Sequence, residues 1–314
     1  MTESQTRAGF AAIIGAPNAG KSTLVNRMTG TKVSIVTKKV QTTRFPVRGV
    51  VVRGEIQIVL VDTPGVFRPR RRLDRAMVAS AWSGAEDADA VVHLVDAAAE
   101  MAVAAGKGSA ADKYAVEDAR TVTERLKEAG GQPILALNKI DGLPREALLP
   151  LVQRFSDTGV YSDVFLISAE KGSGVDDLLN ALVGRMPLGP WLYPEDQAAD
   201  VPLRVLAAEI TREKLYLRLH EELPYAAAVQ TTSFDERADG SVRIEQEILV
   251  EREGQRPIVL GKGGQTVKWI GQKAREELEL LMDRKVHLFL TVKADPRWME
   301  RRELFGQMGL DFDA

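Results

Sequence analysis

A chain of 314 residues is long enough for two domains of ordinary size, and 45% hydrophobic with 27% charged residues suits a globular protein with real cores. A net charge of −2 leaves no global basic field, so any polyanion site must be local. The chain has no cysteine, which excludes disulfides, thiolate metal sites and cysteine nucleophiles and fits a reducing compartment.

The N-terminus, Met1 to Arg7, is polar and lacks the apolar core of a signal peptide, and no run of about 18 apolar residues follows, so a cytoplasmic location is expected. Phe10–Ala16 is an apolar strand ending in a glycine loop. Val47–Arg53 and Glu55–Asp62 are β-branched runs around Gly54 and predict a hairpin. Ala97–Ala111 is rich in Ala and Gly and reads as an exposed loop or insertion. Ala90–Asp96, Pro133–Asn138 and Val164–Ser168 are short apolar runs, the pattern of strands buried on both faces. Helical periodicity lies between them, as in Val175, Leu178, Leu179, Leu182 and Val183. The alternation predicts an α/β doubly wound domain over 1–186, its mixed sheet carrying one antiparallel strand.

Residues 187–202 are proline-rich and aperiodic and read as a linker. Beyond it the order is helix (Arg204–Leu219), two strands (Tyr225–Phe234 and Val242–Val250), a glycine cluster, a helical stretch to Met282 and a last strand (Val286–Val292). That α-β-β-α-α-β order predicts a second, α+β domain over 203–293, followed by a tail over 294–314.

Gly15–Ser22 reads G-A-P-N-A-G-K-S, a phosphate loop between a strand and a helix. A phosphate chain needs many donors at close range, and glycines let backbone N–H groups converge on it. The expected nucleotide contacts are Gly15, Ala16, Pro17, Asn18, Ala19, Gly20, Lys21, Ser22 and Thr23, with Lys21 reaching the β- and γ-phosphates and the Ser22 hydroxyl on Mg²⁺. Asp62–Gly65 reads D-T-P-G: the Asp62 carboxylate is expected to hold Mg²⁺ through a water, and the Gly65 N–H to meet the γ-phosphate. Asn138–Asp141 reads N-K-I-D. Asp141 can accept from the N1–H and 2-amino group of guanine, which adenine lacks, so the site rejects ATP. Asn138 is expected to bond the base and its neighbouring loop, and the Lys139 stem to pack on the ring. Ser168 and Ala169 (in S-A-E-K-G) are expected to offer a backbone N–H to guanine O6. Together these motifs predict a GTP/GDP site that hydrolyses GTP with Mg²⁺.

The basic loop Thr31–Arg44 ends Q-T-T-R, and one of its threonines must complete the Mg²⁺ shell: Thr43 is the first choice and Thr42 the rival. Lys21, Thr43 and Gly65 are the expected catalytic contacts. Val66 follows D-T-P-G where Ras-like enzymes carry a water-orienting glutamine, so slow intrinsic turnover is expected, speeded by a partner or cation. Asn18 is either a K⁺ ligand beside the phosphates or a loop-stabilising side chain.

Gly261–Gly264 reads G-K-G-G, a GxxG loop between two helices. Such loops in KH modules clamp about four nucleotides of single strand, and Lys262 adds charge at the tip. Gly261, Lys262, Gly263 and Gly264, with Lys268, Lys273 and Arg275 on the next helix, are the expected RNA contacts. Trp269 reads as core rather than as a stacking platform. Arg297, Trp298, Arg301 and Arg302 in the tail either touch RNA or pack.

Beyond the nucleotide motifs, the chain carries Y-P-E-D-Q (Tyr193–Gln197), T-R-E-K-L-Y-L-R-L-H-E-E-L-P-Y (Thr211–Tyr225) and I-V-L-G-K-G-G (Ile258–Gly264). With these it resembles the Era family, bacterial GTPases of the TrmE-Era-EngA-like group, over nearly its whole length. The resemblance implies a P-loop GTPase domain followed by a type II KH domain that binds the 3′ end of 16S ribosomal RNA during assembly of the 30S subunit. It implies that the GTP state favours RNA, and a peripheral contact with the inner membrane; a monomer is expected. The alternative is a regulatory GTPase whose second domain binds a protein or membrane partner instead.

Overall fold

A computed structural model describes residues 6–37, 39, 41–219 and 223–314. The chain divides into two units, Met1–Asp200 with Gly309–Ala314, and Val201–Met308.

In the first unit, strands β1 (Arg7–Ile14), β2 (Val47–Arg53), β3 (Ile56–Asp62), β4 (Ala90–Asp96), β5 (Ile134–Asn138), β6 (Asp163–Leu166) and β7 (Ala199–Asp200) form one sheet, ordered β6-β5-β4-β1-β3-β2-β7. Only β2 runs antiparallel to its neighbours, the consequence of the tight hairpin at Gly54. Helices α1 (Lys21–Thr29), α2 (Arg72–Glu86), α3 (Ala97–Ala104), α4 (Ala110–Ala129), α5 (Arg145–Ser156) and α6 (Val175–Val183) cover the sheet. All five residues of β5 are buried, as a central parallel strand requires. One core joins Ala12 and Ile14 to Trp82 of α2 and to Val122 and Leu126 of α4. Another joins Leu135 and Leu137 to Leu148, Leu151 and Phe155 of α5. Because β1, β3, β4 and β5 are parallel, their C-terminal ends share one edge, with Ile13 opposite Asp62, Ile14 opposite His93 and Asp96 opposite Asn138. The loops that leave this edge build the site.

Two sequence expectations need correction here. The Ala97–Ala111 stretch is not an exposed loop: it forms α3 and leads into α4, with Ala97, Ala99 and Glu100 buried. Alanine has the highest helix propensity, Asp96 caps α3 by accepting from the Ala99 N–H at 3.0 Å, and Arg154 pairs with the buried Glu100. Nor is the stretch 187–202 a free linker through most of its length. The Gln57 amide accepts from the N–H groups of Leu192 (2.8 Å) and Tyr193 (2.9 Å) and donates to the Tyr193 carbonyl (2.8 Å). Trp191 Nε1 donates to the Glu55 carbonyl at 3.1 Å, and β7 pairs with the open edge of β2. An unpaired sheet edge needs covering, and this segment covers it.

In the second unit, α7 (Leu203–Arg218), β8 (Ala227–Glu236), β9 (Val242–Val250), α8 (Arg256–Leu260), α9 (Gln265–Met282), β10 (Val286–Ala294) and α10 (Arg302–Gln307) follow in order. The sheet is β10-β9-β8, with β10 parallel to β9 and β8 antiparallel to it. Leu215, Tyr216, Ile248, Val250, Ile270 and Val292 fill one cluster, and Ile210, Ile244, Ala274, Leu278 and Val286 another. This is the α+β KH arrangement of the second type. Trp269 is half-buried and packs against the first cluster. The tail packs too: Trp298 is buried and its Nε1 donates to the Ala226 carbonyl at 3.1 Å, and Leu304 and Phe305 are buried. Among the described residues no helix is long and apolar enough to cross a membrane.

Candidate nucleotide site and RNA-binding loop

The phosphate loop leaves β1 and enters α1 through Gly20, whose φ is 103°. A Cβ at Gly15 would lie 2.3 Å from the Leu94 carbonyl oxygen, and one at Gly20 would lie 2.3 Å from Asn138 Nδ2. Both glycines are therefore dictated by close packing under the loop. Lys21 is buried, and its ammonium donates to the carbonyls of Gly15 (3.1 Å) and Ala16 (2.9 Å), folding the loop around the cation. Burial pushes the Lys21 pKa down to about 8, against the pull of Asp62 and Asp118. Asp118 lies on α4 in the field of Lys21, and burial beside Glu117 raises its carboxyl to about 6. A buried cation held by carbonyl oxygens alone is poised for an anion. Asn18 is exposed, in a left-handed conformation with φ 61°. Ala16 and Ala19 are buried, Pro17 is half-buried, and Thr23 lies in the first turn of α1.

Three oxygens meet beside Lys21. Ser22 Oγ lies 2.8 Å from Thr43 Oγ1 and donates to Asp62 Oδ2 at 2.7 Å; Thr43 Oγ1 donates to the same oxygen at 3.3 Å. Of the two candidate threonines the structure brings in Thr43. Thr42 Oγ1 turns instead to Thr37 Oγ1 (2.6 Å) and the Lys39 carbonyl (2.8 Å). Asp62 is fully buried, burial raises its pKa, and among the described residues its Oδ1 has no hydrogen-bond partner. A buried carboxylate with one orphaned oxygen and two hydroxyls against the other fits a hard divalent cation such as Mg²⁺.

Gly65 passes directly over Pro17, where a Cβ would lie 2.8 Å from its ring, and the Val66 N–H donates to the Gly15 carbonyl at 3.0 Å. Val66 is buried in the core with Trp82 and Val122, so it is packing, not a water-orienting group.

On the base side, Asn138 ties three loops together: Nδ2 donates to the Ala19 carbonyl at 2.8 Å, and Oδ1 accepts from the Ala169 N–H at 2.9 Å. The N–H that the sequence reserves for a guanine oxygen is thus donated within the protein, because the N-K-I-D and S-A loops abut. Ser168 is buried, and its Oγ accepts from the Lys171 N–H at 2.9 Å. Lys139, at φ 64°, sends its ammonium to Asp96 Oδ2 at 2.6 Å, which fixes its stem as a shelf. Asp141 is exposed at the rim.

Sequence reasoning missed Asp96, Gln41 and His93. Asp96 closes an apolar strand as Asp62 does, and that signal was readable. Gln41 Nε2 donates to Asp74 Oδ1 at 3.4 Å, while Asp74 Oδ2 accepts from the N–H groups of Arg70 and Arg71 at 3.0 Å, so one carboxylate joins the Thr31–Arg44 loop to the segment after D-T-P-G. His93 lies under the loop on β4, fully buried; its Nδ1 is 2.8 Å from the Tyr161 hydroxyl, which lies 2.8 Å from Thr123 Oγ1. Burial first, and Lys21 second, push the His93 pKa down to about 3.

In the second unit, Gly261, Gly263 and Gly264 have φ of 74°, 61° and 76°, conformations that suit glycine. Lys262 and Gly263 are exposed. Lys268 and Arg275 are exposed and seven residues apart on α9, hence on one face. Lys273 lies elsewhere on the helix and pairs with Glu276 at 2.7 Å, so the three cations do not form one row.

Residues 10–139 match a family model described as a 50S ribosome-binding GTPase, and residues 222–299 match one described as a KH domain. GTPase Era of Caulobacter vibrioides strain NA1000 is 69% identical over 312 residues, covering 99% of each chain. GTPase Era of Maricaulis maris is 59% identical over 313 residues, covering both chains fully. A solved structure of Era in complex with MgGDPNP and nucleotides 1506–1542 of 16S ribosomal RNA aligns with a TM-score of 0.87 at 37% identity, over 97% of this chain and 99% of that one. A variant of Aquifex aeolicus Era bound to GDP and AlF4⁻ aligns with a TM-score of 0.86 at the same identity and coverage. The chain therefore belongs to the Era family, GTP-hydrolysing enzymes with a P-loop domain followed by a KH domain.

Proposed function

We propose that this GTPase is a switch that binds the 3′ end of 16S ribosomal RNA through its KH unit during assembly of the 30S subunit, as a monomer, with GTP favouring the RNA-bound state. The observation that carries the reading is the likeness, over 97% of the chain, to an Era holding MgGDPNP and that RNA segment at once. The exposed G-K-G-G loop supports it, since Lys262 can approach a phosphate and the glycines keep no β-carbon in the way.

Lys21 and the loop N–H groups neutralise the β- and γ-phosphates, and the Gly65 N–H takes the γ-phosphate. Ser22, Thr43 and Asp62 would hold Mg²⁺, which supplies charge to the phosphate oxygens. Asp141 selects guanine, Asn138 joins the base loop to the phosphate loop, and the Lys139 stem supports the ring. Ser168 and Ala169 flank the base side, the Ala169 N–H holding Asn138 in place. Water attacks the γ-phosphorus as the bond to the β–γ bridging oxygen breaks. With Val66 buried, no side chain directly after D-T-P-G orients that water, so intrinsic turnover is slow. The exposed amide of Asn18 is proposed as a ligand for K⁺ beside the phosphates; faster turnover in KCl than in NaCl at matched ionic strength supports it, and equal rates remove it.

The decisive experiment is an anisotropy titration of a short RNA matching the 16S 3′ end, and a scrambled control, with protein loaded with GDP or a non-hydrolysable GTP analogue. Tighter, sequence-selective binding in the analogue state is expected. Equal and weak binding in both states detaches the GTPase from RNA and leaves a protein or membrane partner for the KH unit.

A further inference from the structure

Directly after D-T-P-G the chain runs V-F-R-P-R-R-R-L-D-R: Arg68, Arg70, Arg71, Arg72 and Arg75, five arginines in eight residues, in a protein whose net charge is −2. All five are exposed. The acid among them, Asp74, is buried and used up, its oxygens held by the N–H groups of Arg70 and Arg71 and by Gln41. Asp74 therefore caps the start of α2 through backbone N–H groups rather than by pairing with a guanidinium of the run. Among the described residues no hydrogen bond or ion pair engages the guanidinium of Arg68, Arg70 or Arg75.

Arg72 does have a ligand, and its chemistry is informative. The last residues of the chain, in the same unit, lie on it: the Phe312 ring stacks on the guanidinium at 4.4 Å, the Phe312 carbonyl accepts from Nη1 at 3.2 Å, and the Asp313 carboxylate stands 3.9 Å away. An aromatic ring stacked on a guanidinium with an anion beside it is how a base and its phosphate meet an arginine. The acidic C-terminus, with Asp311, Phe312 and Asp313, thus stands on this surface in the manner of a nucleotide.

We propose that the arginine segment 68–75 is a second RNA-binding surface, on the GTPase unit, that takes RNA phosphates with a base stacked on Arg72, and that the Asp311–Asp313 segment competes with RNA for Arg72. This rests on the RNA reading above and adds a contact to it. Guanidinium forks suit phosphate oxygens in pairs, and every cation of the run is arginine. RNA is favoured over a lipid surface because, among the described residues, no large apolar side chain stands fully exposed beside the arginines to enter a bilayer; Val66, Leu73 and Met77 are buried and Phe67 is half-buried.

The test uses the full chain with GTP analogue and an RNA of the 1506–1542 segment of 16S ribosomal RNA. Affinity is measured from about 50 to 200 mM salt, since each phosphate contact contributes roughly 0.7 to 0.9 to the slope of log affinity against log salt. Replacing Arg68→Gln, Arg70→Gln and Arg75→Gln together is expected to flatten the slope by about two, with GTP turnover retained as the sign of a folded protein. Phe312→Ser with Asp313→Asn is expected to tighten binding by up to about fivefold, the worth of one exposed cation–π contact and one exposed ion pair. An unchanged slope in the triple arginine variant overturns the proposal; if Lys262→Asp with Gly263→Asp then abolishes binding, the KH reading stands alone. Conversely, binding that survives the KH change but is lost in the arginine variant keeps this surface and removes the KH reading. Arginine-dependent binding to phosphatidylglycerol vesicles with an arginine-independent RNA slope overturns it in favour of lipid.

Discussion

The loops Gly15–Ser22 and Gly261–Gly264 each lead into a helix, and they are built in opposite ways. In Gly15–Ser22 the glycines are forced by neighbours, with Leu94 O and Asn138 Nδ2 where a β-carbon would stand, and the lysine is buried among carbonyls. In Gly261–Gly264 only Gly261 is crowded, by Thr266; a β-carbon on Gly263 or Gly264 would stand in open space, and Lys262 is exposed. The first loop is preorganised by the core beneath it and suits a small ligand held in one geometry. The second keeps its shape through left-handed glycines and its own backbone hydrogen bonds, Gly261 N–H to the Pro257 carbonyl at 2.8 Å and Gly264 N–H to the Gly261 carbonyl at 3.0 Å, and leaves its tip open.

That contrast breaks most readily at the lysines. Lys21→Met should lower nucleotide affinity by about two to three decades, because a buried charge contact is lost. Thermal stability without nucleotide should hold or rise, since a buried ammonium gives way to an apolar side chain of similar length. A large fall in melting temperature in the same variant would mean that Lys21 is a structural brace instead.

Next in size is Gly15→Ala, whose β-carbon meets a backbone carbonyl at 2.3 Å and should cost about 1–3 kcal/mol in denaturant unfolding of the whole chain. Unfolding indistinguishable from the parent would show that the loop yields as freely as its counterpart.

The support beneath the first loop should also be visible in its pH response. His93 has a folded pKa of about 3 against an ordinary 6.5, so the folded state resists a proton that the unfolded chain accepts. Its contribution is complete above pH 6.5 and is lost as pH falls toward 3, about 2 kcal/mol of it by pH 5. In His93→Gln the fall in stability between pH 6.5 and 5 should be correspondingly shallower; identical acid limbs would remove His93 as its source. The smallest effect belongs to the second loop: Gly263→Ala meets no atom and should cost only about 1 kcal/mol for its left-handed backbone, with nucleotide affinity unchanged in calorimetry.

Much of the site could be read before any coordinate, because phosphate loops, D-T-P-G and N-K-I-D are runs of adjacent residues whose spacing is their chemistry. The hairpin at Gly54 and the strand Val242–Val250 were legible for the same reason, alternation and turn residues being local. Where the reading failed, the deciding partner was distant in sequence. Ala97–Ala104 reads as loop until Asp96 caps it and Arg154 meets Glu100. The stretch 187–202 reads as linker until Gln57, more than a hundred residues earlier, offers its amide.

Residue order alone determined which nucleotide chemistry the chain carries, that two units follow one another, and where each glycine loop begins. It could not decide that Thr43 rather than Thr42 meets Ser22 and Asp62, that the Ala169 N–H is given to Asn138, or that the last acidic residues lie on Arg72. Those are contacts across 21, 31 and 240 residues. Such pairs are chosen when parallel strands bring their ends to one edge and the loops compete for the same space, and no local propensity encodes the winner.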